Sequence, residues 1–206
     1  MKYSTTEFKS LEVALKELEP FVRNGQHLLT GRPFRKFGGM LSREAWANWL
    51  LCAALSKTSG LSLTFTSDPT GGDGVIIDSA TRDAVAQIEH TMAPSPRGRV
   101  ETEPKTLILR EVDKKRNKGA AYADGKTLCV FLNADVGNRT WSPNEVAREL
   151  PDPLYFKDVW VVGFERVDEG DYVYQIAHLD VSGGDAPVMH VRVAKDFTSW
   201  TVTWVQ

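Results

Sequence analysis

Along residues 42–57, Trp46, Trp49, Leu50, Ala53 and Ala54 recur at helical intervals, and Gly60 follows as a stop, which predicts an amphipathic helix. Upstream, Ser4-Thr5-Thr6-Glu7 has the spacing of a capping box, and Phe8, Leu11, Leu15 and Leu18 continue at helical spacing until Pro20. A first helix, packed as an outer layer, is expected there. After Gly60 the period changes from about 3.6 to 2. Residues 61–66 alternate as a strand, Asp68-Pro69-Thr70-Gly71-Gly72-Asp73-Gly74 is turn chemistry, and Val75-Ile76-Ile77 is a second short strand. A turn at residues 78–82 returns the chain through a third strand, 84–92, which the Pro94, Pro96 and Gly98 loop interrupts. A long helix is expected from Pro104 to about Tyr122, with Gly125 stopping it. The continuous apolar run at 127–132 suits a strand buried on both faces.

Beyond that strand, Ser142-Pro143-Asn144-Glu145 reads as an N-cap, a proline at the first helical position and a capping-box glutamate, predicting a short helix to Leu150. Residues 159–164 form a further buried strand. Residues 172–181, 188–193 and 200–205 read as antiparallel strands, with turns at Glu169-Gly170 and Ser182-Gly183-Gly184. The class is α/β, and 206 residues that are 42% hydrophobic fit one unit over 1–206: a core at 42–133 and a β-rich extension at 134–206 that extends or flanks the same sheet.

Charge narrows the function. With 25 Lys+Arg against 27 Asp+Glu, a wholly basic nucleic-acid-coating protein is excluded, so any nucleic-acid contact must come from a local patch. The stretch Gly31-Arg32-Pro33-Phe34-Arg35-Lys36-Phe37-Gly38-Gly39 reads as a loop that could touch phosphate, or as a connector whose aromatics plug into the core. No apolar run approaches the roughly 18 residues that cross a bilayer, and Met1 leads directly into polar residues, so neither a membrane span nor a signal peptide is expected. Cys52 and Cys129 sit in apolar patterns as small buried hydrophobes, which suits a reducing, cytoplasmic setting.

The chemistry concentrates at Gly71-Gly72-Asp73-Gly74 and, one hairpin later, at Gln87-Ile88-Glu89-His90-Thr91. Strand parity sends Gln87, Glu89 and Thr91 to one face and Ile88, His90 and Met92 to the other, where His90 reads as a buried histidine. An aspartate entering one strand and a glutamate within its neighbour can share a hard divalent cation. The helix after Pro104 adds Lys114, Lys115 and Lys118 with Tyr122 as a cationic surface for phosphate. Trp200 and Trp204 alternate on the last strand, as core or edge packing.

The order helix, three strands, helix, strand over roughly residues 42–133, together with Asp73 and Glu89, resembles the restriction-endonuclease-like PD-(D/E)XK nuclease superfamily. The resemblance implies an αβββαβ mixed-sheet core, here with an added amino-terminal helix and carboxy-terminal antiparallel strands. It also implies metal-dependent cleavage of DNA phosphodiesters, with Mg²⁺ or Mn²⁺ on Asp73 and Glu89 and with Glu44 as a third ligand from the preceding helix. Thr91 stands where the superfamily has its motif lysine, and Lys118 is the expected substitute as catalytic cation. The rival reading is an inactive descendant that binds nucleic acid or protein. A homodimer is compatible with either.

Overall fold

The computed structural model describes residues 3–4, 7–94, 103–179 and 183–206. Eight strands form one mixed sheet in sequence order: β1 (Leu63–Thr66), β2 (Gly74–Asp78), β3 (Ala84–Ala93), β4 (Thr127–Leu132), β5 (Asp158–Asp168), β6 (Asp171–Leu179), β7 (Val188–Val193) and β8 (Trp200–Trp204). Strands β3, β4 and β5 run parallel, and every other neighbouring pair is antiparallel. The expected carboxy-terminal strands therefore continue the same sheet.

The crossover from β3 to β4 carries α4 (Pro104–Arg116) and α5 (Ala120–Ala123), and that from β4 to β5 carries α6 (Ala134–Gly137) and α7 (Pro143–Arg148). The other face is covered by α1 (Leu11–Arg23), α2 (Gln26–Thr30) and α3 (Ser42–Ser59). All six residues of β4 are buried because both faces are covered: Cys129 and Phe131 join the α1–α3 side, while Leu128, Val130 and Leu132 join the α4–α7 side. On α3 the indoles of Trp46 and Trp49 stack 5.0 Å apart, and Trp49 Nε1 donates to the Leu11 carbonyl at 2.8 Å, fixing α1 on α3. Cys52 and Cys129 are free and buried. Among the described residues no helix is long and apolar enough to cross a membrane.

Two expectations about elements need correction, and one open choice is decided. Helix α1 starts at Leu11 under a Ser10 N-cap, and Pro20 lies inside it; the capping box at 4–7 falls partly on residues outside those described. The helix after Pro104 stops at Arg116, because Gly119 at φ 94° turns the chain before the short α5. In the 31–39 segment Phe34 and Phe37 are buried, with Phe37 stacked on Phe65 at 5.2 Å, so its aromatics belong to the core. The loop expected around Pro96 and Gly98 and the turn at Ser182 lie outside the described residues.

Candidate functional site

The β2–β3 ladder sets Gly74 opposite Ile88 and Val75 opposite Gln87. Carried back one residue, it puts Asp73 beside Glu89 on the face toward α4. Asp73 donates its N–H to the Ile88 carbonyl at 3.2 Å, and its Oδ2 accepts the His90 N–H at 2.7 Å. The glycine-rich turn thus pins a carboxylate to the backbone of the neighbouring strand. Gly74 also leaves room for Asn48, since a Cβ there would meet Asn48 Nδ2 at 2.3 Å.

Helix α4 supplies the next layer. One i to i+4 step advances about 6 Å along a helix axis, close to the roughly 6.6 Å spanned by two strand residues. Glu111 therefore meets Thr91 while Lys115 meets Glu89. Thr91 Oγ1 donates to Glu111 Oε2 at 2.9 Å, and Lys115 Nζ lies 3.3 Å from Glu89 Oε2 and 3.8 Å from Asp73 Oδ2. One ammonium is shared by both acids. Lys126, just before β4, donates to Glu89 Oε1 at 2.9 Å, and the Tyr122 hydroxyl donates to Glu89 Oε2 while accepting from Lys115 at 3.1 Å.

These contacts set the charges. Burial works against ionisation of Glu89, but the Tyr122 and Lys126 hydrogen bonds and the two ammoniums outweigh it and hold its carboxyl below the ordinary value. Tyr122 is pushed up by burial and by its bond to Glu89. Burial raises the Glu44 carboxyl, opposed by the Leu41 N–H and reinforced by the negative charge of Asp73. On the opposite face, burial lowers His90 to about 3, helped by the Lys115 and Arg43 charges. Its Nε2 lies 2.9 Å from Asn48 Oδ1, which suits a neutral ring donating from Nε2, while Nδ1 is buried without a partner.

Of the residues singled out in the sequence, Asp73, Glu89, Lys115 and Tyr122 come together. Lys118 reaches the group only through Tyr122: its Nζ lies 3.3 Å from the hydroxyl and 4.4 Å from the ring centroid, and it is Lys115 that stands on both acids. Lys114 pairs with Glu111 at 3.0 Å and is otherwise exposed. Glu44 accepts the Leu41 N–H at 2.9 Å, capping α3. Among the described residues no three His, Cys, Asp or Glu side chains gather as a metal site, so Glu44 does not complete a triad with the pair. Sequence reasoning passed over Lys126, Glu111 and Asn48. Lys126 had a usable signal, since it precedes the strand whose Leu128 lies opposite Glu89. Glu111 and Asn48 sit in patterns that also fit an ordinary exposed acid and an ordinary helix residue.

What the arrangement offers is a pair of hard oxygen ligands sharing one cation, two ammoniums and a phenol at a strand junction, with further cations outside. Comparison with protein-family models, with curated proteins and with solved structures finds no match.

Proposed function

We propose that the chain is a divalent-metal-dependent nuclease acting on DNA phosphodiesters, an atypical relative of the restriction-endonuclease-like superfamily in which Lys115 takes the place of the motif lysine. The observation carrying this reading is the single Lys115 ammonium held between Asp73 and Glu89. Two carboxylates that already share one cation supply the hard oxygen donors that suit Mg²⁺ or Mn²⁺. Asp73 and Glu89 would hold the ion, with Glu44 acting through its charge. When bound, the ion supplies polarisation of a phosphoryl oxygen and acidification of a water. The chain's own groups do the rest. Lys115 and Lys126 offset phosphate charge, Lys115 orients a water through its ammonium protons, and exposed Lys114 and Lys118 contact the flanking backbone. The strand order and the β3–α4–β4 crossover agree with the αβββαβ expectation.

The rival, a binding module without catalysis, has one observation in its favour: both Glu89 oxygens already carry donors. Titration calorimetry with Mn²⁺, run beside a plasmid-nicking assay, separates the two. The nuclease reading expects metal binding and nicking in the wild type, loss of both in Asp73→Ala and Glu89→Ala, and loss of nicking with metal binding retained in Lys115→Met. DNA binding without metal binding or nicking by the wild type selects the module.

A further inference from the structure

The sheet's two outer edges differ. Along β1, Thr64 Oγ1 donates to the Lys9 carbonyl and Thr66 Oγ1 to the Glu7 carbonyl, so an amino-terminal segment lies against that edge. At the other end β8 pairs with β7, and among the described residues nothing pairs beyond it. Ala194 N–H donates to the Ser199 carbonyl at 3.0 Å and Val205 N–H to the Val188 carbonyl at 2.9 Å. Odd-numbered residues of this segment therefore turn their backbone groups toward β7, and by alternation Trp200, Val202 and Trp204 turn theirs outward. Edge strands are commonly blunted by lysine, proline or a bulge. Residues 199–206 carry no charge and no proline, and Trp204 and Val205 are 57% and 55% exposed.

The strand Trp200-Thr201-Val202-Thr203-Trp204 also reads the same in both directions. We propose that β8 is a homodimer interface: a second copy of this chain pairs its own β8 antiparallel across a twofold axis at Val202, making one sheet continuous through both copies. That register sets Trp200 against Trp204 of the other copy, Thr201 against its Thr203, and Val202 against itself. Aromatic and threonine cross-strand pairs of this kind are favourable. About six backbone hydrogen bonds close the edge.

Charge selects a second copy over a foreign strand. Twofold pairing would normally bring some like charges together, and here there are none to oppose, while a charged partner would find no counter-ion on β8. Trp200, which that register sets against the exposed Trp204 of the other copy, is anchored edge-on to Trp49 at 5.1 Å, so the interface joins directly to the core. The area is modest, on the order of 100 Å² from each Trp204 plus the backbone edge. That puts the dimer at the low end of specific interfaces and makes it concentration-dependent. None of this depends on the chemistry at Asp73 and Glu89.

Sedimentation velocity of the full chain across about two decades of concentration tests it. The wild type is expected to pass from monomer to dimer in the micromolar range. Thr201→Lys with Thr203→Lys, or Thr201→Glu with Thr203→Glu, sets like charges opposite one another at exposed positions, and each double variant should dimerise at least about tenfold more weakly. An equimolar mixture of the two should dimerise again. Val202→Pro, which removes an outward N–H without costing a bond to β7, should also give monomer. A wild type that stays monomeric, variants that dimerise as the wild type does, or a mixture that fails to associate would each overturn the proposal.

Discussion

Glu89 and His90 are neighbours on β3 and almost equally buried, 5% and 6% exposed, but they face opposite layers and end in opposite charge states. Toward α4, Glu89 meets two ammoniums and a phenol and stays ionised. Toward α3, the His90 ring meets a neutral amide, and burial, reinforced by the Lys115 and Arg43 charges, keeps it neutral. Burial opposes the charged form of both groups; it prevails at His90, whereas at Glu89 the donors and cations around the carboxylate outweigh it. The neutral face, tied through Asn48 to the Gly74 backbone position, holds the strand that carries the acids.

The largest effect should come from neutralising the ionic face. Glu89→Gln leaves Lys126 without its carboxylate and Lys115 with Asp73 alone, and urea unfolding should show a loss of about 3 kcal/mol; a loss below about 1 kcal/mol would mean that solvent already screens both ammoniums. Next comes the neutral face. Asn48→Leu strands the buried His90 Nε2 and should cost about 2 kcal/mol, whereas combining it with His90→Met should recover part of that loss.

A third effect separates the faces by pH. The folded His90 value of about 3 lies below its unfolded 6.5, so in that window the unfolded chain takes up a proton that the folded chain refuses. Stability should fall as pH drops below about 6.5, by about 1.4 kcal/mol per pH unit at most. The depressed Glu89 carboxyl contributes stability that is fully present above its unfolded value near 4.5 and is lost as pH falls through its folded value. Denaturation series at pH 7, 6 and 5 should thus have a shallower slope in His90→Met, with the remainder from His190, which burial also lowers, and keep the full slope in Glu89→Gln. The smallest effect is expected for Lys118→Ala, whose ammonium rests on the Tyr122 ring. Unfolding should be unchanged within error, while DNA affinity measured against salt should lose about one unit of slope.

Strand β4, helix α3 and the parity of β3 were legible because alternation and helical spacing are local properties that burial enforces. The pairing of Asp73 with Glu89 followed from hairpin register for the same reason. The choice among Lys114, Lys115 and Lys118 was not legible, since it depends on where α4 ends and how it lies across β3. A charge run that extends a helical pattern hides that end, and Gly119 was the overlooked marker. Glu111 lies within the same charge run, whose pattern fits an exposed acid equally well; only the tertiary match of one helical turn to two strand residues buries it against Thr91.

The break at Gly119 has a consequence for motion. Had α4 run on unbroken, Tyr122 would sit about 9 Å farther along its axis than Arg116, away from Glu89. The chain turns instead, and the four-residue α5 brings the phenol back. So short a helix makes too few internal hydrogen bonds to persist alone. Its order comes from tertiary contacts: the Tyr122–Glu89 bond, the Tyr122 ring set edge-on to Phe156 and the buried Ala123. Amide exchange at residues 117–124 should therefore quicken when Glu89→Gln weakens the first of these.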